Sequence, residues 1–530
     1  MQHRTSICDA LIYLGRDCGM PAFQYADLAS IQRTLDKYHI ETALLHAFAC
    51  RTLDVTQGNR LIFDAAASDP RLVPCPAVLP NSELEVGDEA DFVDQLIQDG
   101  ARCVCLYPNT HGTTLDARIV GPLMDALQDR RLPLAVFEAE LLDVASLASA
   151  YPRLPVIVHA PLARNRTLLA TLRATPNLYI SIAPRFARYR ALEVIVQQCG
   201  PDRLLLGSGY PISEPGAPIA YLLYSDLNDE AVGRIARDNL LGLLAQVDVR
   251  RAASPDLAAD HGQQNSVDLP QTAGLACHVW RREPVQLPGI VDMHAHYGSV
   301  PAFAVWRGDV DQRLREMDRV GIEKMFLSRS GVGSPEAVWA NDQVLKAMRY
   351  CPQRILGYAT CYPITDDLGI GEIQRCIDAG MQGVKLHSAA GLAYTDPRYA
   401  PVWQYADERQ LPVLLHTWGA LAELKPLFER YRSAPILLAH AGAAEPESYV
   451  AYARKYPNLY LDLCFSGAPY GVIEYFVREL GPQRMLFGSD SPYMSIQQQL
   501  GRVLFADIAE DEKKAILVDN PKRILDRHRT

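Results

Sequence analysis

In the second half of the chain, the residues able to do chemistry stand where short apolar runs end. His294 and His296 are two apart in VDMHAHYG, His416 closes LPVLLH, His440 closes PILLAH, and Asp490 follows MLFGS. Lys385 and His387 are two apart in GVKLH. In an extended segment, residues at i and i+2 project to one face, so each such pair addresses the same space. Neutral imidazoles with a carboxylate, and no organised thiolates, suit one borderline divalent metal ion: zinc, with manganese or iron as alternatives. Such an ion keeps a position open for water, lowers the pKa of that water from about 15.7 towards about 7, and polarises a bound carbonyl. Each residue alone has an ordinary reading. A strand histidine is usually a hydrogen-bonded core group, and Asp490 after Gly-Ser could cap a helix. Their common placement at run ends is what points to a metal site.

The elements that would position them are written twice. RMLFGSDSP (484–492) repeats RLLLGSGYP (203–211), and IVDMHAHYG (290–298) repeats ICDALIYLG (7–15). RILGYATCYP repeats RLVPCPAVLP, GMQGVKLH repeats GARCVCLY, and NLYLDL repeats NLYISI, at an offset of about 280 residues throughout. A period of that length is a whole domain, duplicated and fused. Within the first copy, apolar runs near 8–13, 42–48, 72–79, 102–107, 133–138, 155–159, 178–182 and 203–208 alternate with segments of helical period. Leu28, Ile31, Leu35 and Tyr38 fall on one helical face, as do Val310, Leu314, Met317 and Val320 in the second copy. Eight strands alternating with helices predict an α/β chain of two tandem (β/α)8 TIM barrels, with a doubly wound open sheet as the alternative. A barrel collects the C-terminal ends of its strands at one mouth, which brings the second copy's histidines together. The expected domains are a first barrel over 1–248, a linker over 249–285 and a second barrel over 286–530; the stretch 249–271 is polar, rich in Ala, Asp and Gln, and without periodicity.

Composition narrows the function classes. A net charge of −10 lacks the basic stripe that nucleic acid requires. No apolar run approaches the roughly 18 residues that span a bilayer, and the N-terminus has no apolar core of a signal peptide. Twelve scattered cysteines without a CxxC pair read as reduced, buried thiols, which together with the rest predicts a cytoplasmic protein that acts on a small molecule.

VDMHAHYG, GVKLH, LLHTWG, LLAHAG, MLFGSDSP and VDNPKRIL together resemble the amidohydrolase superfamily. More narrowly they resemble the amidohydrolase-related branch that includes aminocarboxymuconate-semialdehyde decarboxylase, over all of 286–530. The resemblance implies that His294, His296, His416 and Asp490 bind the metal and that His440 orients the water or polarises the substrate. It places Lys385 where two-metal relatives carry a bridging carboxylated lysine. The narrower branch implies a single ion, with Lys385 facing a substrate carboxylate and His387 and Trp418 lining the substrate's space. Asp490 would also carry protons.

In the first copy, Leu11 and Tyr13 stand for His294 and His296, Phe137 for His416, Gly209 for Asp490, Cys105 for Lys385 and Tyr107 for His387; only His159 matches, against His440. That copy is expected to hold no catalytic metal, to fill its mouth with apolar and aromatic groups, and to support its twin by intramolecular pairing, with a homo-oligomer also compatible. Arg51 is the basic residue that could reach across, and Glu138 the nearby carboxylate. The leading functional reading is a metal-dependent hydrolase of an amide, lactone or related carbonyl. The alternatives are a non-oxidative decarboxylase or lyase on a small carboxylic acid, and a non-enzymatic scaffold.

Overall fold

The computed structural model describes residues 6–16, 20, 24–52, 55–84, 86–159, 166–183, 186, 189–249, 274–298, 309–329, 337–388, 391–465 and 467–527. It divides into two compact units, residues 1–186 with 191–271, and residues 187–190 with 272–530. Nearly all of the expected linker's polar stretch lies outside the described residues. Part of the remainder is a short helix, Cys277–Arg281, which belongs to the second unit because Val279 is buried and Trp280 meets Phe505 edge-on at 5.9 Å.

The first unit carries β1 (Ile7–Leu14), β2 (Ile40–Ala47), β3 (Leu72–Pro74), β4 (Val104–Leu106), β5 (Leu134–Val136), β6 (Val156–His159), β7 (Leu178–Ser181) and β8 (Leu204–Leu205). Each falls within or beside the run expected for it, most of them shorter. The strands pair in parallel as arcs of three and five. Parallel bridges Ala77–Cys105 and Ile12–Tyr210 join the arcs into a closed ring. The second unit carries β9 (Val291–Tyr297), β10 (Lys324–Arg329), β11 (Ile355–Ala359), β12 (Gly383–Leu386), β13 (Val413–His416), β14 (Ile436–Ala439), β15 (Leu459–Asp462) and β16 (Met485–Leu486). These form one eight-stranded parallel sheet, closed by the bridge Ala295–Ser491. With helices between the strands, each unit is a (β/α)8 barrel.

Both units close with the same device. Asp292 Oδ1 accepts from the backbone N–H groups of His294 (3.1 Å) and Ser489 (3.0 Å), and Asp9 Oδ1 accepts from Leu11 (2.9 Å) and Ser208 (2.8 Å). A buried carboxylate thus pins the first strand to the turn after the last. Asparagines do similar work at the strand starts. The Asn458 side-chain amide donates to the carbonyls of Tyr431 and Ala434, and Asn177 does so to Ala148, Tyr151 and Leu154. Asn520 and Asn239 clamp the entries to β16 and β8. These residues satisfy buried carbonyls, which both copies need whatever stands at their strand ends.

The helix Val310–Val320 shows where periodicity is an incomplete guide. Asp309 caps it by accepting from Gln312 N at 2.9 Å, and Gly321 ends it at φ +88°. Met317 and Val320 are buried as expected, but so are Gln312, Arg313 and Glu316, while Val310 and Leu314 are half-buried. Arg313 is drawn inward because its guanidinium donates to His296 O (3.1 Å) and to Ser491 Oγ. Beneath the second barrel's mouth, Met293, Phe326, Tyr358, Leu414, Leu437, Tyr460 and Leu486 belong to a packed core. That solid floor confines the polar groups to the strand ends.

Candidate metal centre

The mouth of the second barrel gathers every residue singled out there by sequence. His294, in β9, is wholly buried, with Nδ1 2.6 Å from Asp462 Oδ2 at the end of β15. An imidazole that donates from Nδ1 keeps its lone pair on Nε2. That atom lies 3.3 Å from His296 Nε2, 3.5 Å from Asp490 Oδ1 and 3.1 Å from Lys385 Nζ. His296 places Nδ1 3.0 Å from Ser328 Oγ and Nε2 3.1 Å from Asp490 Oδ1. His294, His296 and Asp490 therefore offer two ring nitrogens and a carboxylate oxygen to one point.

His440 and His416 form the adjoining edge. His440 Nδ1 is 2.8 Å from the carbonyl of Cys464, which can only accept, so the proton sits on Nδ1 and the lone pair on Nε2. That lone pair faces His416 Nδ1 at 3.2 Å, which leaves His416 Nε2 as an acceptor. His387 stacks on His416 with ring centroids 4.2 Å apart. His416 thus shares the mouth while standing outside the tight triangle of His294, His296 and Asp490. Trp418, half exposed, has its ring centroid 5.3 Å from that of His440 and meets Phe465 edge-on at 4.6 Å. Tyr493 lies 4.7 Å from His296. The mouth is polar at its base and aromatic along its wall.

Burial sets the charge states. It holds His294 and His296 well below the ordinary imidazole range and pushes His416 down as well. It lowers His440 to about 4 and His387 to about 3, so all five rings are neutral near pH 7. Burial also lowers Lys385 to about 8, against the attraction of Asp490, and raises Asp462 to about 6.

Neutral rings with inward lone pairs are what a cation requires. Two donor atoms about 2.1 Å from a common ion, at ordinary coordination angles, lie about 3.0–3.4 Å apart. The separations of 3.3, 3.1 and 3.5 Å among His294, His296 and Asp490 sit at or beside that range. An ion among them would take the lone pair of His294 Nε2 and that of His296 Nε2 once this ring carries its proton on Nδ1. The donor set fits a divalent metal.

The amidohydrolase family model matches residues 25–240 and 291–527. This chain belongs to the amidohydrolase family. Both barrels fall within the match, as the internal repeat requires. Among curated relatives, the γ-resorcylate decarboxylase of Polaromonas sp. strain JS666 is 24% identical over 274 residues, 39% of this chain and 84% of that protein. The γ-resorcylate decarboxylase of Rhizobium sp. strain MTP-10005 is 25% identical over 283 residues, 40% of this chain and 86% of that protein. A solved 2,6-dihydroxybenzoate decarboxylase from Rhizobium is 20% identical, with a TM-score of 0.37 over 45% of this chain and 98% of its own.

Within this amidohydrolase, sequence reasoning missed the groups that hold the ring nitrogens in place. Asp462, Ser328 and the Cys464 carbonyl orient His294, His296 and His440 respectively. One signal was available: NLYLDL ends its run on a carboxylate where NLYISI has Ser181. Ser328 and Arg313 act through geometry that spacing does not record.

The first amidohydrolase-like barrel differs from expectation in one way. Its aromatic side chains do stack, Tyr13 on Phe48 at 4.5 Å and Tyr107 on Phe137 at 4.8 Å, but a cavity of about 1200 Å³ stays open among them. Arg51 pairs with Glu138 of its own barrel at 2.6 Å. Desolvating a lone guanidinium is costly, and Glu138 is the carboxylate within reach.

Proposed function

We propose that the second barrel is a divalent-metal-dependent, non-oxidative decarboxylase of a small hydroxylated aromatic carboxylic acid. The observation that carries the metal is the convergence of His294 Nε2, His296 Nε2 and Asp490 Oδ1, two of whose separations, 3.3 and 3.1 Å, fall within the span expected of co-ligands and the third, 3.5 Å, just beyond it. The decarboxylase names of relatives aligned over 84–86% of their length favour carbon dioxide loss over the hydrolysis that the sequence reading ranked first. The aromatic wall of Trp418 and Phe465 suits a flat ring.

His294, His296 and Asp490 would hold the ion, with His416 beside them. When bound, it supplies positive charge that draws in a carboxylate with its neighbouring oxygen and withdraws electrons from the ring. The protein's groups do the rest. Lys385 offers an ammonium at the base of the mouth for the substrate's negative charge. Trp418 and His387 bracket the ring plane. Asp490 would take up a proton released by the substrate's hydroxyl and pass it to the carbon that loses its carboxyl group. The C–C bond breaks, carbon dioxide leaves, and the electron pair left behind takes that proton. His440, whose Nε2 lone pair faces His416 Nδ1 at 3.2 Å, holds the His416 ring in place beside the ion.

The same donors could activate water against an amide or lactone, so the test separates the two outcomes. Metal-replete full-length chain is incubated in D2O with a panel of hydroxybenzoates. Carbon dioxide release with one deuterium at the vacated carbon is expected. Absence of carbon dioxide, with water oxygen entering an amide or lactone product, would overturn decarboxylation in favour of hydrolysis. His294→Ala and Asp490→Asn should each remove most of the second barrel's metal and abolish turnover. A wild-type chain that takes up no zinc, manganese or iron would leave the scaffold reading.

A further inference from the structure

We infer that the first barrel holds a thiolate metal site of its own, a zinc-type ion bound by His46, Cys75 and Cys105. One donor atom from each of the three lies within 4.8 Å of the other two. They come from adjacent strands: His46 near the end of β2, Cys75 directly after β3, and Cys105 in β4. All are buried, with exposures of 0, 0 and 1%. Two thiolates and an imidazole are the donor types that select borderline and soft ions over magnesium or calcium.

A second observation points the same way independently. Among the described residues neither ring nitrogen of His46 meets a nitrogen or oxygen partner, its polar neighbour being the Cys105 thiol, and neither ring nitrogen of His159 has a partner. A buried imidazole without partners is costly, and a bound cation is one of the few groups that would use its lone pair. His159 meets His46 edge-on at 5.8 Å, so a fourth donor stands beside the trio. The corresponding residues of the second barrel, Ser328, Tyr358 and Lys385, make no such set. The first barrel therefore has a donor set that the second lacks.

Charge balance supports the assignment. Binding releases the two thiol protons, and a dication with two thiolates and a neutral imidazole is net neutral, which a dry barrel interior tolerates. The ion would tie β2, β3 and β4 together where the sheet breaks between its arcs of three and five strands.

Full-length chain purified without air and supplied with zinc is expected to carry two ions by elemental analysis. With His294→Ala and His296→Ala it should retain one, and adding Cys105→Ser should remove that one. Loss of all metal on changing the two histidines alone overturns the proposal. Cobalt loading gives a readout independent of folding in the variants. Wild type should show thiolate-to-cobalt charge-transfer bands that persist in Cys464→Ala, the other thiol near a histidine cluster. Absence of those bands also overturns it. The first barrel's ion is counted whether or not the second barrel proves to be a decarboxylase, so the two readings fail separately.

Discussion

His294 and Asp462, 168 positions apart, share a 2.6 Å contact that fixes which nitrogen of the histidine faces the mouth. The carboxylate holds the proton on Nδ1, so Nε2 keeps its lone pair. Asn in place of Asp462 can present an amide N–H to the ring and turn the tautomer over, putting a proton where the metal should be. Asp462→Asn is expected to weaken metal binding by about 10–100-fold, the usual effect of removing a ligand's orienting partner. Competition with a chromophoric chelator measures it. Undiminished affinity would show that His294 is held by its packing alone.

Lys385 supplies a pH-dependent signature. Burial brings it down to about 8, so it is a cation near neutrality and loses its charge as pH rises. A divalent ion nearby pushes the same group lower still. If the ammonium holds the substrate's carboxylate, kcat/KM should fall on a basic limb centred no higher than about 8. Lys385→Gln should be slow throughout and lack that limb. A limb that survives the substitution unchanged would assign it to another group.

How much of this could be read from the residues alone depends on the kind of signal. The barrel was legible because its strands are apolar runs repeated at a fixed offset, and the duplication gave each run a second reading. The cluster at the mouth was legible because His294, His296, His440 and Asp490 all end such runs, and a closed sheet sends those ends to one place. Asp462 also ends a run, but one carboxylate at a strand end carries no spacing pattern. Ser328 and Arg313 reach the site from a neighbouring strand and a helix, through contacts set by barrel closure. Cys75 and Cys105 were read as reduced, buried thiols because neither belongs to a CxxC pair. Only the parallel order of β2, β3 and β4 brings them to His46.

Asp9 gives the first barrel a stability signature. It keeps the closing role of its twin Asp292, and burial raises its carboxyl to about 6, as it raises Asp292 to about 7. A folded-state pKa above the unfolded value means that the native protein holds the proton more tightly. Between about pH 4 and 6 the native state therefore binds more protons than the unfolded chain, and stability falls as pH rises through that window. Two pKa units correspond to on the order of 3 kcal/mol. Asp9→Asn keeps the oxygen that accepts from Leu11 and Ser208 but cannot ionise. Calorimetry from pH 4 to 6 should show a shallower loss of melting temperature in Asp9→Asn than in wild type. Parallel slopes would mean that Asp9 is already ionised at pH 4.

Gly488 and Gly207 occupy equivalent turns, yet their substitution should have unequal consequences. A Cβ on Gly488 would fall 2.3 Å from Asp462 Oδ1 and 2.7 Å from His294 Cβ, both beneath contact distance and both within the pair that aims the metal-facing nitrogen. One partner is a Cβ fixed to its backbone, so relief must come from displacing β9 or swinging Asp462 away from the ring. Either movement breaks the 2.6 Å contact. On Gly207 the Cβ would meet Ser181 Oγ at 2.3 Å and Leu11 Cβ at 3.2 Å. A serine hydroxyl can rotate aside, and 3.2 Å asks for only a few tenths of an ångström of adjustment. Gly488→Ala should therefore lose most of the second barrel's metal and turnover, while Gly207→Ala should keep both and lose no more than about 1–3 kcal/mol of first-barrel stability. Full metal occupancy in Gly488→Ala would show that the His294–Asp462 contact can re-form around the added methyl.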